Sequence, residues 1–315
     1  MTVIVALLIV TLLGVAAIAI DVGNLFWERR ALQNGADAAA LAAAQDFASG
    51  NGAAAAEVAA RDFADSNNSR GAWVESFTQP TSNSVRVVTR SGNIDGEVPL
   101  NSILAQFLGR ETYFARATAT AAWGGMGGGS TVPLAFSWCE WDRFTNGLGI
   151  DALPTANLTV FHHTSSASDE NDCDGPAGQD YPGGFGWLDT NGSGTCTADV
   201  ILGQVGGDTG NSPPVPASST GCTSAFFAGL IGQTVLMPVF GDVTGTGSNA
   251  TYDVLGFAAL EVTGFRFGGS LTGGVVPCGN PNRCISGRFV AYYDLGQEPV
   301  EGAPDYGAYV IGLTG

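Results

Sequence analysis

Residues 168–175, Ser-Asp-Glu-Asn-Asp-Cys-Asp-Gly, gather four carboxylates within six positions, and oxygen ligands at that density suit Ca²⁺. The run lacks the alternating Asp/Asn spacing and the closing Glu of an EF-hand loop, so a solvated acidic loop is the stronger reading. Gly207-Asp-Thr-Gly210 has the form of a loop presenting a catalytic carboxylate, but paired-acid catalysis needs a second such loop, and none occurs. A β-turn explains it better. His162 and His163 are the chain's two histidines. Neighbours on a strand point to opposite faces, so they are poorly placed to share one zinc or act as one base, and a structural role is expected. No Gly-x-Ser-x-Gly elbow, zinc-protease helix or Walker loop is present. The expectation is no catalytic residue, no cofactor, no metal and no enzymatic activity.

The remaining reactive side chains are six cysteines, Cys139, Cys173, Cys196, Cys222, Cys278 and Cys284. An even number in Gly-rich, acidic sequence predicts three disulfides formed in an oxidising compartment. Cys278 and Cys284 flank a Pro-Asn turn and make the simplest local bridge. Cys173 with Cys196 and Cys139 with Cys222 are one assignment of the rest, among the 15 connectivities that six cysteines permit. Asn157-Leu-Thr159, Asn191-Gly-Ser193 and Asn249-Ala-Thr251 fit the N-glycosylation triplet, a pattern short enough to arise by chance.

The composition is 45% hydrophobic and 13% charged, which suits a globular body rather than a disordered one. All 12 basic residues are Arg, and the net charge is −17. Residues 1–123 carry 8 Arg against 11 acids and residues 124–315 carry 4 against 18, so the second part is the acidic one. Such a body repels nucleic acid and anionic headgroups.

The element that must position all this is the N-terminal segment. Residues 1–20 contain no charged side chain, and about 20 apolar residues match a ~30 Å hydrocarbon core. With no basic n-region and no Ala-x-Ala site, a retained single-pass span is expected over a cleaved signal peptide. The helix is predicted to continue through residues 25–47, which are rich in Ala. Trp27, Arg29 and Arg30 fall where interfacial anchors sit.

The run from Leu13 to Ala42, with Asp21-Val-Gly23 and Glu28-Arg-Arg-Ala-Leu-Gln-Asn-Gly-Ala-Asp-Ala-Ala-Ala-Leu-Ala, resembles the N-terminal module of TadE/TadG-like tight-adherence (Tad/Flp) pilus-assembly proteins. It departs from that pattern by Gly35 in place of Ala. Residues 107–123 resemble the segment that follows it, and the Cys-containing remainder, including Phe136-Ser-Trp-Cys-Glu140, resembles an actinobacterial TadG-related type. The resemblance implies a pilin-like or pilus-associated protein inserted through a hydrophobic helix. The short basic leader of pilin precursors and the Asp-x-Ser-x-Ser motif of family members with a von Willebrand A domain are not found.

The expected fold class is α+β, with four segments: a pilin-like helix over 1–48, a small α+β domain over 49–123, a flexible Gly-rich linker over 124–130, and a disulfide-bonded β-rich ectodomain over 131–315 read as a sandwich or barrel. In the small domain, helices are expected over 53–63 and 100–108 and strands around Val85 and Val87 and over 113–121. In the ectodomain, strands are expected over 158–161, 234–240, 252–267 and 288–293. The residues expected to face lipid or partner helices are Leu7, Leu8, Leu12, Leu13, Gly14, Ala17, Ile18, Asp21, Gly23, Leu25, Arg29, Arg30 and Leu32. Small residues there allow helices to approach closely. The expected partners are other copies of the chain or pilin subunits and the membrane, with the C-terminal part outside the cell. Two functions compete: a structural or accessory pilus subunit, and a permanently tethered binding or adhesion module that does not polymerise. A secreted hydrolase ranks far below both.

Overall fold

The computed structural model describes residues 2–68, 71–92, 114–146, 153, 156–162, 184–208, 212–214, 220–245, 249–268, 271–276, 278–295, 299–300 and 303–314. The expected helix over 100–108, the acidic loop 168–175, Cys173, His163 and Thr209-Gly210 lie outside them. Two compact units emerge: Met1–Trp123 with 296–298 and 311–315, and Gly124–Leu295 with Pro299–Val310.

The first unit is built on helix α1 (Thr2–Ala48), 47 residues without a break. Its two halves differ in side-chain size. Large aliphatics from Ile4 to Ile20 stay exposed, whereas Leu32, Ala36, Ala39, Ala40, Ala43 and Ala44 are fully buried. Helix α2 (Gly52–Ser66) supplies the complementary stripe, with Ala56, Ala60 and Ala64 at four-residue spacing. Two alanine stripes bring the helix backbones close. A Cβ at Gly35 would sit 3.0 Å from the Ala64 carbonyl oxygen, so the departure from the usual Ala falls where the contact is tightest.

Three antiparallel strands follow in this unit, β1 (Ala72–Thr81), β2 (Ser84–Ser91) and β3 (Arg116–Gly125), neighbours in that order. β1 and β2 join through a two-residue turn, and Val74, Val85, Val87, Ala119 and Ala121 fill the buried face. Polar bonds tie α1 to the sheet. The buried Thr89 hydroxyl donates to the Leu32 carbonyl at 3.1 Å, and Gln33 Nε2 donates to the Thr118 carbonyl at 3.2 Å. Phe47 stacks between Trp123 and Phe77, with ring centroids 5.1 and 6.2 Å away.

Residues 124–130 are not the flexible linker expected. Gly124 and Gly125 finish β3, and β4 (Gly128–Thr131) pairs with β8 (Ala198–Ile201). The glycines serve close approach instead: a Cβ on Gly125 would lie 2.4 Å from the Pro304 carbonyl oxygen, and one on Gly127 would lie 2.1 Å from Val300.

The second unit centres on β11 (Thr251–Gly268), 18 residues long. It pairs antiparallel with β10 (Thr234–Thr244), β13 (Cys284–Val290), β9 (Gly203–Gly206) and β12 (Leu271–Gly274). β6 (Leu158–Phe161), β5 (Leu134–Ser137) and β7 (Phe185–Trp187) extend it to eight strands, six of them in the order β6-β13-β11-β10-β5-β7 with β5–β10 parallel, and β9 and β12 paired to β11 off that path. Along β11, Tyr252 and Val254 face one core and Ala258, Leu260 and Val262 the other, although all are even-numbered. Leu255 is skipped in the pairing between Val239↔Gly256 and Phe240↔Val254, a bulge in β11 that turns its alternation over.

Both faces of this sheet are therefore covered. On one, Phe136, Phe185, Trp187, Phe265, Phe267 and Phe289 form an aromatic core. Helix α3 (Trp138–Thr145) adds Trp141 to it, and helix α4 (Ser224–Gly229) adds Phe227. On the other face, Phe240, Tyr252 and Phe257 meet Ala198 and Val200 of β8 and Val310 of β15 (Ala308–Leu313). The unit is mostly β, as expected, but one layer is helical rather than a second sheet. β14 (Tyr292–Leu295) follows β13 after a break at Ala291.

Cys278 bonds to Cys284, the local bridge expected. Cys196 bonds to Cys222, which replaces both longer pairings considered above. The Cys196 amide donates to the Thr220 carbonyl at 2.6 Å, and this contact brings the two segments into bonding range. Cys139 is also disulfide-bonded.

Candidate functional site

The surface with the most pronounced chemistry is the N-terminal half of α1. Leu8, Leu12, Leu13 and Ile18 are 58%, 67%, 64% and 48% exposed, values that water alone does not tolerate in such number. Among the described residues, nothing lies within 4 Å of where a Cβ on Gly14 or Gly23 would stand. Ala17 is half-buried, Leu25 is 39% exposed, and Arg29 and Arg30 are exposed. Leu7 lies on the same helix. The helix it belongs to, over Thr11–Ala48, is by length and composition one that can cross a membrane.

Two residues from the expected interface turn inward, and a third residue outside that set joins them. Leu32 is fully buried and packs in the unit's core, and Asp21, at 7% exposure, is also covered. Glu28 is fully buried as well. Positions 21, 28, 32, 39 and 43 follow one helical face, and the same face carries the Ala stripe toward α2. The spacing of large residues in sequence did not separate the inward face from the outward one, because the run to Ile20 is apolar all round.

Where α1 leaves its apolar run, β1, β2 and β3 hold a charged cluster that the sequence reading missed. Arg90 and Arg116 are direct cross-strand partners, an arrangement that repels. Glu75, at a bulge in β1 between Val74 and Ser76, relieves it. Its carboxylate accepts from Arg116 at 2.5 and 2.7 Å and lies 3.9 Å from Arg90. The bond from Arg116 holds the Glu75 carboxyl below its ordinary value, and Glu75 in turn raises Arg116. The Arg90 guanidinium also lies 4.9 Å from the Trp73 ring and 4.6 Å from the Phe114 ring. The signal was available only in register, since Glu75, Arg90 and Arg116 are far apart in sequence.

The other candidates stay apart. His162 is buried against Phe185, ring centroids 5.1 Å apart and edge-on, and its amide donates to the Arg283 carbonyl. Gly207 bridges to Leu188, and the Asp208 amide donates to the Trp187 carbonyl. Glu140, at the start of α3, accepts from the Gly184 amide at 3.0 Å and pairs with Arg143. Ser137 caps that helix by accepting from the Cys139 amide. Among the described residues no three His, Cys, Asp or Glu side chains converge as metal ligands. In the same unit, burial pushes the Tyr252 phenol up to about 12.

No curated protein and no solved structure matches the chain. The family comparison does not reach Phe136–Glu140 or the disulfides. Residues 1–46 match the family model for Tad, the TadE/G-like Flp pilus-assembly proteins, a match that supports a role in Flp pilus biogenesis and covers the exposed half of α1 together with most of its alanine stripe.

Proposed function

We propose that the chain is a pilin-like structural or accessory subunit of a Flp-type surface pilus, that its exposed N-terminal helix is held in the membrane before assembly, and that the same helix packs against other subunits afterwards. One observation carries the reading. From Ile4 to Trp27, 13 large apolar side chains stand exposed on a helix whose following residues are tightly packed. Lipid tails and neighbouring apolar helices are the two surroundings that satisfy such a surface. The disulfides favour placing the second unit outside the cell. The role is structural rather than catalytic on this reading.

Cryo-electron microscopy of filaments sheared from the cell surface tests it. Density for residues 4–27 in a filament core supports the subunit role. Recovery of the protein solely as a membrane-bound monomer, absent from every filament, overturns it and leaves a tethered binding module.

A further inference from the structure

Within the first unit, Val22, Leu25, Phe26 and Arg29 of α1 face Phe114, Ala115 and Arg116 across a groove of about 420 Å³. The four α1 residues are spaced i, i+3, i+4 and i+7, so they form one face of the helix. It adjoins the face that buries Asp21 and Glu28. The groove is apolar along its floor and basic at its end. Phe26 is 67% exposed and Phe114 40%, an unusual price for aromatic rings in water. Arg116 is neutralised by Glu75, whereas Arg29 has no ion pair among the described residues.

We propose that this groove seats one anionic phospholipid of the bilayer that α1 crosses. The proposal rests on the membrane-held state of the proposed function. Three features point to that occupant rather than to another. The groove is continuous with the exposed apolar surface that begins at Ile4, so the same lipid layer reaches both. Its depth fits: Leu25 lies about 7 Å along the helix past Ile20, and a headgroup layer is roughly 5–8 Å thick. Its charge fits as well, since helix side chains lean toward the N-terminus and aim the Arg29 guanidinium back at the membrane. In this arrangement the upper acyl methylenes lie on Leu25, Phe26 and Phe114, and Arg29 donates hydrogen bonds to the phosphate. The lipid bridges the helix and the start of β3, and so fixes how the first unit meets the membrane surface.

The test uses the full chain in detergent micelles doped with phosphatidylglycerol or phosphatidylcholine, read by native mass spectrometry, with vesicle flotation in parallel. Wild type should retain phosphatidylglycerol about fivefold better than phosphatidylcholine, the factor one basic residue at a membrane surface confers. Arg29→Gln should erase that preference, Phe114→Ala should lower retention of both lipids, and Arg61→Gln, on α2 in an ion pair with Glu57, should change neither. All variants should float with vesicles. Equal retention of the two lipids by wild type, or adducts unchanged in Arg29→Gln and Phe114→Ala, overturns the proposal. Loss of dimers instead of lipid adducts in Phe114→Ala also overturns it, in favour of a second copy. A wild-type chain that does not float at all refutes the membrane-held state itself, a failure separate from that of the groove.

Discussion

Replacing Leu32 and Leu12 by alanine, one at a time, separates folding from assembly on a single helix. Leu32 is fully buried and Leu12 is 67% exposed. Much of what surrounds Leu32 on α1 and α2 is alanine, which has no side-chain freedom with which to fill a hole, so the cavity left by Leu32→Ala persists. Burial of a leucine in so unyielding a site places the cost at roughly 3–4 kcal/mol, within the range for such truncations. The backbone bond from Thr89 to the residue-32 carbonyl survives the change, so the loss is one of packing. For a unit of this size that corresponds to a fall in Tm of roughly 12–25 °C. Leu12→Ala removes no contact inside the unit and should shift Tm by less than about 0.5 kcal/mol equivalent. Calorimetry of the full chain in detergent, with limited proteolysis to assign the transition to the first unit, measures both. Filament incorporation then scores the second property, which Leu12→Ala should impair without unfolding. A Leu32→Ala protein within 1 kcal/mol of wild type, or a Leu12→Ala protein as destabilised as Leu32→Ala, refutes the division of α1 into an outward and an inward half.

Gly35→Leu should force α1 from α2 at Ala64 and cost about 2–3 kcal/mol, while Gly14→Leu leaves the unit's melting unchanged; calorimetry compares them. Tyr252 makes the second unit sensitive to alkali. Its phenol ionises near 10.0 when unfolded and near 12 when folded, so between these values the folded state keeps a proton that the unfolded state has lost. Stability is full below pH 10 and should fall by about 1.4 kcal/mol per pH unit up to pH 12. Denaturant midpoints of Tyr252→Phe should lack that component, and identical wild-type and mutant slopes would contradict it. The Cys196–Cys222 bridge closes 26 residues and Cys278–Cys284 only 6, so loop entropy assigns them about 3.5 and 2 kcal/mol. Paired Cys→Ala variants in chemical denaturation should keep that order.

The helix, its family resemblance and the strands over 158–161 and 234–240 were legible because each is written in consecutive residues: an apolar run, a motif, a β-branched stretch between turn residues. Features that depend on pairing were not. The Gly-rich run at 124–130 looks like a linker until Pro304 and Val300 are placed against it, since the lack of side chains that suits a flexible tether also suits close contact. Cys196 meets Cys222 because the Cys196 amide binds the Thr220 carbonyl, a contact with no local signature. Trp138–Thr145 has no long helical period, but Ser137 at the cap and Glu140 in the first turn are a start signal that could have been read. Likewise, Glu75 becomes the partner of Arg116 only through a bulge in β1, which shifts its register by one residue.

Side-chain size divides α1 into two kinds of surface, and this bears on how a helix can serve a bilayer and an assembly in turn. Left in water, 13 large apolar side chains at their observed exposure would cost on the order of 10 kcal/mol, comparable to the stability of a whole domain. The helix therefore needs cover at every stage. Lipid tails and leucine side chains are equally apolar, so moving from one to the other changes hydrophobic energy little. What distinguishes them is fit: Gly14 and Ala17 admit a second helix backbone closely, a contact that fluid lipid cannot reproduce. Past Leu32 the choice has already been made within the chain, because Ala56, Ala60 and Ala64 occupy the alanine stripe that another subunit would need. Any packing of one subunit's helix on another's through that stripe must therefore end before Leu32, and a filament structure showing it beyond that point would require α2 to leave its place.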